Sequence, residues 1–318
     1  WAHTETLAAH QYVKFRVCSI SGNNVTIEYV VEEDVKPNAN ANAKDKSGYS
    51  LNLEIPRLNE ANVFVAHSLK VNGAELLNYA LEWDDTKKHS SWVAFAFDET
   101  TRKAGDGVKR KDNFVVDPLL PEAMQVTDEQ HKSDGFDRGH ICGSADRLFT
   151  QEANDQTFYF SNMSPMIHSF NSPYWAEFEE QVRKWGGAEK DFTTTYSKLY
   201  VVKGGALNEL LVSYTGQKNG GDNIKPTTDA NGFTKGGLAC PKYYFMAVLS
   251  ETDGAYHAIG FRVEHKEYSK APTLEELKAS ALSIDELEEK TGIDFFCNLP
   301  DDLENTVESS MNLDDWAW

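Results

Sequence analysis

The sequence predicts an α+β fold in which a mainly antiparallel central sheet is flanked by helices. Three alternating runs, NVFVAHSL (62–69), LNYALEW (77–83) and SWVAFAF (91–97), follow one another with only polar turns between them. Such runs are typical of antiparallel strands joined by hairpins. Strand-like runs resume at 240–249 and 255–265. Because a helix does not separate every strand pair, the order indicates α+β rather than a parallel α/β sheet.

The first fifty residues differ in character from the rest. YVKFRV (12–17) and VTIEYVV (25–31) read as a pair of strands, and the polar stretch 36–48 that follows has no apolar periodicity. That composition is typical of a linker or an exposed loop. We therefore expect an N-terminal β segment with its linker over 1–48 and one main domain over 49–318.

A helix is predicted over NSPYWAEFEEQVRKWGG (171–187). Ser172 could cap it, Pro173 suits its first turn, and Gly186 with Gly187 would end it. Four apolar residues recur at helical spacing and predict a buried face. These are Trp175, Phe178, Val182 and Trp185.

Two short helices are predicted in 273–293, where Thr273 and Ser283 each occupy a capping position. The four cysteines are widely spaced, without a CxxC pair, and we expect reduced or buried thiols rather than any particular disulfide. The chain begins at Trp1 without an initiator Met, which favours a processed, exported protein, periplasmic, cell-surface or secreted. No apolar run is long enough to predict a membrane span.

The net charge of −19 argues against a protein that simply grips a polyanion. The acid is concentrated at one end, since 264–318 holds fifteen Asp or Glu against four Lys or Arg. TRKAGDGVKRK (101–111), by contrast, carries five bases and one acid. A local basic strip on an acidic body can still bind phosphate, although a solvated loop is the simpler explanation of the strip taken alone.

Candidate chemistry is concentrated between residues 135 and 185. His140 lies in a polar segment with glycines and could accept a proton from water near neutral pH. Asn171 and Glu179 flank Trp175 at helical spacing, so all three can point roughly the same way. An amide oxygen and a carboxylate suit a hard cation such as Mg²⁺, although a loop asparagine and a solvated helix charge are the simpler reading of each alone.

Three further residues have two readings each. Asn162 could orient a substrate or stabilise the loop that carries Asn171. Arg138 and Arg147 offer planar forks for phosphate oxygens, but either could instead pair with its neighbouring aspartate, Asp137 or Asp146.

The ordered set resembles a known family. DRGH (137–140), then SNMSP (161–165), then Asn171 with Trp and Glu four and eight positions later, is similar to the DNA/RNA non-specific endonucleases of the ββα-metal class, to which mitochondrial endonuclease G is related. The resemblance covers roughly 50–310 and does not extend to 1–48. It implies a sugar-non-specific, metal-dependent nuclease that cleaves DNA and RNA with little sequence preference. The enzyme would use one divalent ion, Mg²⁺ or Mn²⁺ in its place. A homodimer is one assembly that it could form.

The resemblance also implies roles for individual residues. His140 would be the general base, Asn171 the direct metal ligand, and Glu179 a ligand through water. Asn162 and Arg138 would assist the site, and Asp137 would brace it. A basic residue shortly before the F-x-x-D-P segment would contact phosphate; of Lys109, Arg110 and Lys111 we select Arg110, as a catalytic and substrate-binding residue. Met166 stands where Gln often follows SNMSP in the family, which leaves fine substrate preference open.

Two rival functions compete with this reading. A thiol hydrolase could use His140 and Cys142, which lie two apart on one extended segment and so face the same side. A nuclease fold that binds nucleic acid without cleaving it would suit the acidic charge. Metal removal should abolish the activity of a nuclease, whereas thiol blocking should abolish that of a thiol hydrolase.

Overall fold

The computed structural model describes residues 2–6, 9–22, 24–33, 38–189, 194, 196–218 and 224–318. The strands are β1 (Ala2–Thr6), β2 (Ala9–Ser21), β3 (Asn24–Glu33), β4 (Val63–Val71), β5 (Ala74–Asp84), β6 (His89–Phe97), β7 (Asp137–His140), β8 (Met163–Met166), β9 (Lys198–Gly205), β10 (Tyr243–Thr252), β11 (Ala255–Glu264) and β12 (Ala281–Leu282). The helices are α1 (Asp128–His131), α2 (Gln151–Gln156), α3 (Ala176–Gly186), α4 (Leu274–Ala279), α5 (Ile284–Thr291) and α6 (Asp301–Glu308).

The predicted α+β fold with an antiparallel central sheet is confirmed. Seven strands form one sheet in the order β12-β11-β10-β9-β6-β5-β4, and every neighbouring pair is antiparallel. The three runs predicted at 62–97 become β4, β5 and β6, joined by short turns. The apolar run TFYFSNM (157–163) predicts a short strand, but the strand begins only at Met163, the last residue of that run.

Side chains alternate along each strand, so the sheet has two buried faces. On β9, Leu199 and Val201 point to the face that is covered by the β7–β8 hairpin and α3. Tyr200 and Val202 point to the other face, which is covered by α5, α6 and the Phe295-Phe296 segment. The candidate site therefore lies on the first face, and the acidic C-terminal helices lie on the second.

Helix α3 is shorter than predicted. Regular helix begins at Ala176, because Ser172 has extended backbone angles (φ −143°, ψ 122°) that interrupt the preceding turn. The helix ends at Gly186, and Gly187 takes the left-handed conformation (φ 69°) that favours glycine. The predicted buried face is confirmed: each of its four apolar residues is at most 2% exposed.

Both short C-terminal helices begin where predicted. The Thr273 hydroxyl accepts a hydrogen bond from the Glu276 N–H, and the Ser283 hydroxyl accepts one from the Glu286 N–H. Each glutamate side chain accepts from the backbone N–H of its cap residue in return, which completes a capping box at both helices.

Before the main domain, β1, β2 and β3 form a separate three-stranded antiparallel sheet. The strands predicted at 12–17 and 25–31 fall within β2 and β3. Residues 38–48 contain no helix or strand but are not a free linker. The Asn42 side chain, 6% exposed, donates to the carbonyls of Ser50 and Pro56, and the Asn40 amide donates to Glu304 Oε1 at 2.7 Å. Residues 34–37 lie outside the described part of the chain, and the domain boundary near 48 stays a prediction.

Candidate active site

The site is built on the β7–β8 hairpin. Asp137 pairs with Met166 and His140 with Met163, so the whole DRGH motif forms one strand. Gly139 is required there, because a Cβ at this position would come within 2.2 Å of the buried Met166 sulfur. Close packing of the Met166 side chain against Gly139 thus sets how closely the strand that carries Asp137, Arg138 and His140 approaches the core.

Asn171 and Asp137 are brought into direct contact. The Asn171 Nδ2 donates to Asp137 Oδ2 at 2.9 Å, and the Nδ1 of His168 lies 2.9 Å from the same oxygen. An amide that donates through its nitrogen presents its oxygen in the opposite direction. The predicted brace therefore orients Asn171 Oδ1 for a ligand rather than leaving the amide free to rotate.

A cleft of about 530 Å³ lies beside this pair, and its lining includes Asn171, Asp137, Arg138 and Arg110. The Arg138 guanidinium pairs with Asp128 and lies 5.0 Å from the centre of the Phe114 ring. Arg110 stays more than half exposed and is 2.7 Å from Asp112 Oδ1.

The other bases of the strip at 101–111 are placed differently. Lys111 pairs with Asp155, and Arg102 donates to main-chain carbonyls, among them that of Ser197 at 2.7 Å. Of the three candidates at 109–111, Arg110 is the one that lines the cleft. The cleft thus presents two guanidinium groups to solvent, which suits an anionic ligand.

His140 is held behind the cleft wall by aromatic rings. Its ring centroid is 4.8 Å from that of Phe158, edge to face, and 6.0 Å from that of Phe114. Its Nε2 is buried and has no hydrogen-bond partner within the described residues. Burial foremost, then the positive charges of Arg110 and Lys203, lower the pKa of His140 to about 3. The imidazole is therefore neutral at physiological pH and can accept a proton.

Glu179 belongs to a buried cluster of charges beneath the site. Lys203 Nζ lies 2.7 Å from Glu179 Oε1 and 2.9 Å from Asp146 Oδ2, and Arg183 reaches Asp146 Oδ1 at 3.3 Å. Burial raises the pKa of the Glu179 carboxyl. Burial also acts to raise the pKa of Asp146, but Lys203 and Arg183 outweigh it and the net pKa is lowered. Glu179 Oε2 accepts no hydrogen bond from the described part of the chain and stays available to water.

The prediction that Asn162 is catalytic is not supported by its surroundings. Its side chain is fully buried; Oδ1 accepts from the Cys142 N–H at 2.8 Å, and Nδ2 donates to the carbonyls of Cys142 and Thr157. Both donor positions of the amide and one of its two acceptor positions thus serve the main chain. Asn162 therefore ties the end of the DRGH segment to the loop before β8, and not to the loop that carries Asn171.

The prediction that Arg147 binds substrate is wrong. Its side chain is fully buried, donates to the carbonyls of Ala96, Asn78 and Asp146, and packs against phenylalanine rings. A phosphate cannot reach the guanidinium without unfolding this part of the core. Arg147 satisfies main-chain carbonyls where the sheet meets the site.

The thiol-hydrolase alternative fails on the environment of Cys142. The thiol is fully buried, and burial raises its pKa to about 12. The reactive thiolate is therefore scarcely populated at neutral pH. The four cysteines are all free, as expected.

Three residues of the site were missed in the sequence. Arg183 follows Glu179 by four positions on α3, a spacing that could have indicated a shared surface. Lys203 directly follows the apolar run 199–202 of β9, and a lysine at such a position is an unusual signal. Asp134, 4% exposed and with one unpartnered buried oxygen, lines the cleft and follows no recognisable pattern.

The chain is similar to known nucleases over most of its length. The model of the DNA/RNA non-specific endonuclease family matches residues 60–302. A nuclease of Syncephalastrum racemosum is 30% identical over 228 residues, covering 71% of this chain and 67% of the relative. A nuclease of Nostoc sp. is 29% identical over 242 residues, covering 74% and 76%. Human mitochondrial endonuclease G is 26% identical over 234 residues, covering 70% and 68%.

A solved structure, that of the EndoG/EndoGI complex, has the same fold. The TM-score is 0.55 at 20% sequence identity, and the match covers 74% of this chain and 87% of the other. The family match begins after β1, β2 and β3.

Proposed function

Because this chain belongs to the DNA/RNA non-specific endonuclease family and is a nuclease, we propose that it hydrolyses phosphodiester bonds of DNA and RNA by a one-metal mechanism with His140 as general base. The observation that carries the proposal is the neutral, half-buried His140 imidazole, on the same strand as Asp137 and beside a cleft lined by two arginines. A neutral imidazole is what proton abstraction from water requires.

The donor set fits a hard divalent cation. Asn171 would hold the ion directly through Oδ1, since Asp137 already takes its Nδ2, and Glu179 would act through water. Amide and carboxylate oxygens favour Mg²⁺, with Mn²⁺ as a substitute. When bound, the ion supplies positive charge that offsets charge on the phosphorane and on the departing oxygen.

The residues of the chain itself account for the remaining steps. His140 takes a proton from a water molecule, the water oxygen bonds to phosphorus, and the bond from phosphorus to the 3′ oxygen breaks. Arg138 and Arg110 lie where they can neutralise phosphate oxygens during this displacement. The contacts proposed here are to phosphate rather than to base edges, so we expect weak sequence preference and cleavage that falls as salt rises.

A plasmid-nicking assay tests the proposal. Wild type should nick supercoiled DNA and degrade RNA with Mg²⁺ and be inactive with excess EDTA. His140→Ala should lose about 10²–10⁴-fold in rate while its circular dichroism and melting temperature stay close to wild type. His257→Ala, which removes an exposed histidine paired with Asp315, is the matched control and should keep full activity. Full activity in His140→Ala would rule out the assigned base, and Mg²⁺-independent cleavage would rule out the metal.

A further inference from the structure

A cluster of carboxylates joins α5 to α6 on the opposite face of the sheet from the candidate active site. One carboxylate oxygen from each of Asp285, Glu288 and Glu308 lies within 4.8 Å of the other two. Asp285 and Glu288 are three residues apart on α5, so they share one side of that helix, and Glu308 faces them from the last turn of α6.

The surroundings of Glu308 indicate that this cluster needs a ligand. Its side chain is only 5% exposed, yet Oε1 is buried and has no hydrogen-bond partner among the described residues. A buried carboxylate oxygen without a donor is costly, and native proteins usually satisfy such a group. The unpartnered oxygen belongs to the same carboxylate that approaches the other two acids.

The neighbouring groups add negative charge instead of neutralising it. Glu304, one turn before Glu308, is 6% exposed and accepts from the Asn40 amide, and Asp294 accepts from the same nitrogen. Glu288 Oε1 is already used by the Phe295 N–H at 2.7 Å. In the described part of the chain, no Lys, Arg or His lies within ion-pair distance of the three cluster residues. The contact between α5 and α6 therefore lacks a positive charge, which a cation from solution would supply.

We propose that Asp285, Glu288 and Glu308 form a structural Ca²⁺ site that fastens α6 to α5. Ca²⁺ accepts several carboxylate oxygens at about 2.3–2.6 Å in a flexible geometry. Mg²⁺ requires near-ideal octahedral geometry and usually keeps several waters, so a group of three protein carboxylates favours Ca²⁺. Asp285 is exposed, which gives the ion an entry path and room for water ligands.

The site is distinct from the proposed catalytic ion. Glu308 lies beyond residues 60–302, so the family match does not include it. Asn171 and Glu179, the proposed catalytic ligands, lie on the other covered face of the sheet. The two sites can therefore be removed one at a time.

The test is thermal unfolding of the full chain after EGTA treatment, with CaCl₂ added. Wild type and Asn171→Ala should both melt about 5 °C higher at a Ca²⁺ concentration 100-fold above the dissociation constant. Glu308→Gln should lose this increase, and calorimetric titration of Asn171→Ala should show one Ca²⁺ per chain. Glu289→Gln removes an exposed charge of the same helix and should keep the increase.

Asp285→Asn provides a second test if Glu308→Gln does not fold, because Asp285 is exposed and its replacement leaves the packing intact. It should weaken Ca²⁺ binding at least tenfold. The proposal is overturned if calcium does not stabilise wild type, if Asn171→Ala abolishes the response, or if Glu308→Gln and Asp285→Asn both keep it. A cluster that is satisfied by a shared proton would give the first of these results.

Discussion

The Arg110 guanidinium and the buried Lys203 ammonium both disfavour the protonated form of His140. A base works only when unprotonated, so a pKa lowered to about 3 extends its working range toward acid. Because Arg110 is exposed, it can be changed without disturbing the core.

Arg110→Gln should therefore shift the pH profile as well as lower the rate. Loss of a charged phosphate contact should lower kcat/KM about 10–100-fold. Loss of the nearby positive charge should raise the pKa of His140, so the acid limb of kcat/KM moves to higher pH. The measurement is the initial cleavage rate from pH 2.5 to 8, a range that includes the wild-type limb at about pH 3. Lys111→Gln, which removes a base paired with Asp155, should leave the limb in place. If the acid limb of kcat/KM stays at the same pH in Arg110→Gln, the group that titrates there is not His140.

Asp137 orients the proposed metal ligand, so its loss should appear as a change in metal requirement. Asp137→Ala removes the acceptor of the Asn171 Nδ2 and lets the amide rotate. Loss of such an orienting partner typically costs about 10–100-fold in metal affinity. The Mg²⁺ concentration for half-maximal cleavage should rise by that factor, and saturating Mg²⁺ should restore most of kcat. Asp106→Ala is the charge-matched exposed control. An unchanged Mg²⁺ requirement with a permanently low kcat would contradict the orienting role.

At the scale of elements, sequence periodicity was sufficient to predict a helix or strand wherever apolar residues recur at the spacing of one buried face. The buried face of α3 and the alternation of β4 to β6 are of that kind. The charge cluster under the site is different, because Lys203 on β9 meets Glu179 on α3 only after the sheet and helix pack. Arg147 shows the reverse problem: its neighbours in sequence suggested an exposed cation, yet the fold uses it to satisfy carbonyls inside the core.

The β7–β8 hairpin offers a direct test of how packing sets the site. Gly139→Ala should destabilise the fold by about 1–3 kcal/mol, because the new methyl group would overlap the buried Met166 side chain. Urea unfolding measures the loss. Met166→Ala removes the obstructing atoms, so the double variant should be more stable than the sum of the two single losses predicts. Additive losses would mean that the glycine is needed for another reason.

For the whole molecule, the fold class and four cleft residues followed from the sequence, since motifs and alternation are local: Arg110, Asp137, Arg138 and Asn171. The placement of 38–48 did not, because its asparagines bond to residues about 250 positions away. The net charge of −19 is compatible with nuclease activity, because the acidic α5 and α6 lie on the face away from the cleft. Export and homodimer formation stay predictions.

Acid should destabilise the whole molecule through its buried neutral histidines. Burial foremost lowers the pKa of His89 and His265 to about 4, and that of His131 and His140 to about 3. The unfolded chain takes up these protons near the ordinary value of about 6.5. Below that pH the unfolded state binds more protons than the native state, so stability falls as pH falls. Each histidine contributes up to about 1.4 kcal/mol per pH unit until its native pKa is reached.

His265 isolates one such contribution, because its Nε2 accepts the Ile167 N–H at 2.7 Å and its Nδ1 lies 2.8 Å from the Pro241 carbonyl. Only the neutral ring can make both contacts, whereas a glutamine could replace them without titrating. Urea unfolding of His265→Gln at pH 6.5, 5.5 and 4.5 should therefore show a dependence shallower than wild type by about 1.4 kcal/mol per pH unit. His257→Gln, at an exposed position, should keep the wild-type slope. Equal slopes in all three proteins would place the acid sensitivity in the carboxylates instead.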